Sequence, residues 1–154
     1  MISNIKMKKY NKKLPYSYTL GAFPTIELLK KYPKKVMKVF THSDLNSVTQ
    51  EEIITGICNA NNIFCECNDR IVEKLRDKEN CFVIGVFEKY NNELDKDSNH
   101  VVLVNPSDMG NMGTIIRTCV GFGIKNLAVI EPAVDIFNPK VVRASMGAVF
   151  HVDR

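Results

Sequence analysis

The residues with the greatest capacity for chemistry lie between Asn105 and Gly147. The turn Asn105-Pro106-Ser107-Asp108-Met109-Gly110-Asn111-Met112-Gly113 follows an apolar run and feeds a helical stretch that carries Arg117. Glycines at 110 and 113 let the backbone approach a ligand closely, and a helix N-terminus offers free N–H groups to a phosphate or carboxylate. Asn111 can donate and accept, and Arg117 presents a planar fork suited to phosphate. The alternative is a solvated helix face for Arg117, with glycines that only make the turn. A second group follows in FNPKVVRASMGAVF: Asn138, Pro139, Lys140, Arg143, Ser145 and Gly147. Asn138-Pro139 begins a short helix, Arg143 falls near its end, and Ser145-Met146-Gly147 is a small-residue turn leading into strand-like AVFHV. Brought back to the first turn, Arg143 would complete a two-arginine anion site. Otherwise it complements the end of its own helix.

Several chemistries lack their residues. Neither GxGxxG nor GxxxxGK[ST] follows the apolar strand, which removes most support for dinucleotide and nucleotide loops. The three histidines, 42, 100 and 151, are scattered, and no Ser/His/Asp set supports a hydrolase. Five cysteines, at 58, 65, 67, 81 and 119, are odd in number and contain no CxxC pair. Neither a disulfide framework nor a metal site is expected. Cys65 and Cys67 would share one strand face without a His or second Cys pair to complete a tetrahedral set.

These residues must be positioned by regular elements. VVLVN (101–105) reads as a buried parallel strand, TIIRTCVGFG as a helix burying Ile115, Ile116, Cys119 and Val120, and NLAVIEP as the next strand. The result is a βαβ unit whose turn sits at the carboxyl end of the first strand, where open α/β sheets place ligands. Upstream, LPYSYTLGAFPTIELLKKYP reads as an extended lead-in, a Gly turn and a short helix from about Thr25 to Lys31. A buried strand at VMKVFTH follows, then a helix capped by Ser47 or Thr49. IFCEC, a helix opened by Asn68 or Asp69, and the apolar run CFVIGVFEKY continue the alternation, which implies a layered α/β domain. The polar segment 91–100 separates the two units.

The composition, 45% hydrophobic and 25% charged, is that of a soluble globular protein. No apolar run approaches the roughly 18 residues of a membrane span, the N-terminus lacks a secretory core, and a cytoplasmic location is expected. The net charge of +4 hides a segregation: residues 1–40 hold ten Lys and one Glu, a balance of +9. Lys6, Lys8, Lys9, Lys12 and Lys13 form a basic arm, and Lys30, Lys31, Lys34, Lys35 and Lys38 form a second cluster. Concentrated positive charge suits a polyanion, because each neutralised phosphate releases counterions. A solubilising tail is the other reading.

Together, GNMGTIIRTCVGFG and DIFNPKVVRASMGAVFHV resemble the SpoU (TrmH-type) RNA 2′-O-ribose methyltransferases of the SPOUT knotted superfamily. The shared pattern is Asn-x-Gly-x-x-x-Arg-Thr followed by Pro-x-x-x-Arg-x-Ser-x-Gly. The resemblance implies a basic arm (1–13), a small ribosomal-protein-like α/β/α substrate-binding domain (14–95), and the first half of a SPOUT α/β knot domain (100–154). It implies S-adenosylmethionine-dependent methylation of a ribose in rRNA or tRNA by a homodimer, without metal or membrane. The alternative is a non-enzymatic RNA-binding module. Arg117 and Asn111 match the catalytic motif. Arg143 and Ser145 match the second motif, on the substrate side, and Lys30, Lys34 and Lys35 fall in the part expected to hold RNA. The family's cofactor loops are expected after residue 154, so the chain as written is expected to lack activity and to leave an apolar sheet edge uncovered.

Overall fold

A computed structural model describes residues 6–154. Two sheets share one core. The first has the order β1 (Tyr16–Leu20), β4 (Val83–Glu88), β2 (Val36–Thr41), β3 (Cys65–Cys67). β4 runs antiparallel to both β1 and β2, and β2 pairs with β3 in parallel. Helices α1 (Ala22–Lys31), α2 (Val48–Ala60) and α3 (Asp69–Leu75) alternate with the strands. In the second sheet β5 (His100–Val104) and β6 (Asn126–Ile130) are parallel and joined through α4 (Met109–Gly121). α5 (Pro139–Ala144) and a 3-10 turn at Ala148–His151 follow. The chain then returns beside β6, where Asn126 bridges Asp153 in parallel.

The extended lead-in is a strand. β1 is buried along its whole length, because Tyr16, Tyr18 and Leu20 pack with Phe40, Ile84, Val86 and Val72 on the face covered by α3. Its alternate residues, Ser17 and Thr19, have the polarity of a solvent face and are nevertheless buried. The Ser17 hydroxyl donates to the Phe137 carbonyl, and Thr19 Oγ1 lies 2.7 Å from Thr25 Oγ1 and accepts from Gly85 N at 2.8 Å. Satisfied in this way, the two polar side chains avoid most of the cost of burial.

The opposite face carries α1 and α2 together with the C-terminal segment. Phe87 of β4 meets Phe137 and Phe150 edge-on, with ring centroids 5.5 and 5.3 Å apart. Leu28, Ile54, Met112, Ile116 and Val142 belong to the same continuous core. The basic arm is also tied down from Lys6 to Lys13. Met7 is buried, Lys74 donates to the Met7 carbonyl and Lys89 to the Lys12 carbonyl, and the Tyr18 hydroxyl donates to the Lys8 carbonyl. Residues 1–5 of the arm lie outside the described residues.

The caps follow local chemistry. Ser47 caps α2, and Asn68 Oδ1 accepts from Ile71 N at 3.1 Å to cap α3. Alanine at position 68 is expected to cost about 1 kcal/mol, which thermal unfolding would read as a midpoint lowered by about 2–4 °C.

Two expectations change. The run 101–105 is not fully buried: Val102 and Val104 are 55% and 65% exposed, because β5 packs on the core by one face only, through Val101 and Leu103. AVFHV is a 3-10 turn rather than a strand, since Met146 and Gly147 take φ of 52° and 79° and turn the chain so that Val149 and Phe150 enter the core. No helix among the described residues is long and apolar enough to cross a membrane.

Candidate RNA-facing site

α4 places Arg117 outward. Met112, Gly113, Ile116 and Cys119 take the buried stripe, leaving Arg117 exposed and without a carboxylate partner among the described residues. It lines a depression of about 500 Å³ whose other walls include Phe23 and Glu27 of α1, Ser145 and Met146 after α5, and His151. Phe23 is 52% exposed there. Glu27 Oε2 is 2.8 Å from His151 Nε2, which ties the two sheet units across the depression. Both units therefore build the site.

The turn before α4 does less than its glycines suggest. Asp108 caps the helix, its Oδ1 accepting from Asn111 N at 2.6 Å. A carboxylate already occupies the helix end and opposes an incoming anion. Gly113 does not face a ligand either. A Cβ there would lie 2.5 Å from Ala144 Cβ and 2.8 Å from the backbone N of Ser145, so this glycine lets α4 and α5 approach. Asn111 is exposed and its carboxamide has no partner among the described residues. At about 100° per residue it points about 120° away from Arg117 round the helix. It does not line the same depression.

The two-arginine site is not formed. Arg143 donates to Asp77, which follows α3, and Arg117 lines its depression without it. Ser145 is fully buried: its hydroxyl donates to the Val142 carbonyl at 2.9 Å and accepts from Val149 N, so it shapes the wall as the C-cap of α5. Lys30 and Lys34 are exposed near the end of α1, and Lys35 pairs with Glu88 at 3.6 Å. Lys30 continues the Phe23–Glu27 stripe at helical spacing.

Phe23, Glu27, Met146 and His151 carry no local signal. Glu27 and His151 meet across 124 positions, and only the packing of α1 against the 3-10 turn brings them together. Farther off, the Arg154 guanidinium stacks 4.1 Å from the Phe137 ring, and burial pushes its pKa down. Burial likewise raises the Asp135 carboxyl, which accepts from the Tyr10 hydroxyl and pairs with Lys89. No cluster of three metal-ligating side chains occurs among the described residues.

A parallel βαβ unit with an arginine-bearing helix is thus docked on a four-stranded α/β layer. Residues 98–154, which contain both motifs, match the model of the SpoU rRNA Methylase family. An AdoMet-bound rRNA methyltransferase from Sinorhizobium meliloti superposes with a TM-score of 0.72 at 24% identity, over 90% of this chain and 53% of that one. The SpoU methyltransferase AviRb from Streptomyces viridochromogenes, in complex with the cofactor AdoMet, gives 0.71 at 19% identity, over 90% and 52%. In sequence, the mitochondrial rRNA methyltransferase 3 of Mus musculus is 46% identical over 48 residues, 31% of this chain and 12% of its own length. The 23S rRNA (uridine(2479)-2′-O)-methyltransferase of Streptomyces viridochromogenes is 36% identical over 73 residues, 44% of this chain and 25% of its own length. The chain spans about half the length of the solved relatives it matches.

Proposed function

We propose that the protein is a SpoU-type RNA methyltransferase that methylates a ribose 2′-oxygen of rRNA, with S-adenosylmethionine as the methyl donor. The observation that carries this reading is Arg117: a motif arginine, exposed and free of carboxylate partners among the described residues, in a depression of about 500 Å³. The relatives named as rRNA methyltransferases support rRNA over tRNA, and the Streptomyces relative's name supports 2′-O transfer.

A guanidinium has donors only and no free lone pair, so it is not a general base on its own. Its fork suits a phosphate beside the target ribose, fixing the sugar and stabilising negative charge that develops on the 2′-oxygen. S-adenosylmethionine, when bound, supplies a methyl group on a sulfonium. The described residues around Arg117 do not fit that molecule. It needs an adenine slot, partners for ribose hydroxyls and charges for its amino-acid end, whereas the only carboxylate here, Glu27, is already held by His151. The 154 residues are accordingly proposed to be the RNA-facing side of the site, inactive by themselves, and the enzyme a homodimer in the cytoplasm.

Two assays test the reading. The full-length gene product, given methyl-labelled S-adenosylmethionine and rRNA, is expected to leave label in a dinucleotide that resists alkaline hydrolysis, as a 2′-O-methyl group does. Label only in alkali-sensitive nucleotides, or none, overturns it. Titration calorimetry of the 154 residues with S-adenosylmethionine is expected to show no binding, and measurable heat of binding overturns the assignment of this chain to the RNA side alone.

A further inference from the structure

We propose that a second depression, at the opposite end of α5 from Arg117, is a contact for the RNA backbone that holds phosphates of the strand flanking the target nucleotide. The inference rests on the RNA methyltransferase reading and adds to it a surface to which the second motif contributes only its Asn138–Lys140 start. The depression measures about 400 Å³, and Lys9, Lys74, Arg76 and Lys140 line it together with Tyr10. Its one carboxylate, Asp77, is engaged by Arg143. None of the four cations has a carboxylate partner among the described residues.

Two of the cations are held in place without being neutralised. Lys74 Nζ donates to the Met7 carbonyl at 2.8 Å, and Arg76 donates to the Glu79 carbonyl at 2.9 Å. Lys9 comes from the basic arm, Lys74 and Arg76 from the end of α3, and Lys140 from the first turn of α5, so three distant parts of the chain deliver like charge to one place. Such a cluster repels itself unless an anion sits among it. Of the cluster that charge segregation suggested, Lys30, Lys31, Lys34, Lys35 and Lys38, two members are spent on carboxylates: Lys35 on Glu88 and Lys38 on Glu66.

Position argues for a strand over a free ion. α5 has six residues, about 9 Å at 1.5 Å per residue. Lys140 stands at its start, and Ser145 and Met146 at its end are walls of the Arg117 depression. One single strand crossing α5 reaches both.

The test is anisotropy of a short fluorescein-labelled single-stranded RNA of mixed sequence, titrated with the 154-residue chain over a range of salt. Arg76→Glu and Lys140→Glu are each expected to weaken binding, and together by about tenfold or more. The slope of log K against log salt should flatten by about 0.7 for each phosphate that is no longer neutralised. Lys96→Glu, exposed in the 91–99 connection, is expected to bind nearly as the unaltered chain does. Circular dichroism of each variant checks that the fold is kept, and Lys9→Glu supplies a third independent probe. Unchanged affinity and slope in folded variants, with RNA still bound by the unaltered chain, overturn this inference alone, as does an equal loss in Lys96→Glu. Failure of the unaltered chain to bind RNA overturns the RNA reading as well.

Discussion

Alanine at position 117 is expected to lower methyl transfer by the full-length gene product about 100-fold or more, the scale seen when one preorganised charge-stabilising donor is removed. Thermal stability should stay within about 0.5 kcal/mol, because the side chain is exposed and bonds nothing that the fold needs. That separation is the point of the experiment. A structural arginine would lower the unfolding midpoint, whereas a phosphate-holding one leaves the midpoint alone and lowers turnover. Lysine at 117 is expected to recover little, since a point charge does not reproduce the planar fork. Transfer rates within a fewfold of the unaltered enzyme in Arg117→Ala would remove this residue from the site.

Valine at position 113 is expected to destabilise the chain by about 3 kcal/mol or more. A glycine inside a helix ordinarily gains about 1 kcal/mol on replacement by alanine. Here the added carbon would lie 2.5 Å from Ala144 Cβ and 2.8 Å from both Ala144 C and Ser145 N, and backbone atoms cannot swing aside. Overpacking of this kind costs about 1–3 kcal/mol for a single methyl group, so the steric term outweighs propensity even for alanine. Valine adds two more methyl groups against the same wall. Gly56→Ala supplies the contrast, since nothing lies within 4 Å of its added carbon and it occupies the exposed face of α2. It should raise stability by about 0.5–1 kcal/mol. Denaturant unfolding reads both, and a neutral Gly113→Val would show that α4 and α5 are not locked at this crossing. Because Ser145 and Met146 follow that crossing directly, loosening it also displaces one wall of the Arg117 depression.

Much of the scaffold was legible because it is encoded locally. The apolar run of β4, the capped periodic stretches of α2 and α3, and the strand-turn-helix-strand of β5, α4 and β6 all signal themselves within a few residues. β1 did not, because Ser17 and Thr19 imitate a solvent face and their distant partners, Phe137 and Gly85, lie elsewhere in the chain. The exposed face of β5 escaped for the converse reason: an all-apolar run reports what a strand is made of, not how many layers cover it.

The site divides along the same line. Sequence by itself determined the motif pattern, the helix that carries Arg117, and an excess of positive charge in the first forty residues. Tertiary structure decided that Arg117 shares its depression with Phe23, Glu27 and His151 rather than with Arg143. It decided as well that Gly113 serves helix packing, and that the basic patch is built from Lys9, Lys74, Arg76 and Lys140. The physical reason is range. Helical periodicity and caps act over one turn and are written in neighbouring residues. The partner of an ion pair, or the set of cations around a cleft, is fixed by which surfaces burial brings together, and that emerges only when the whole core closes.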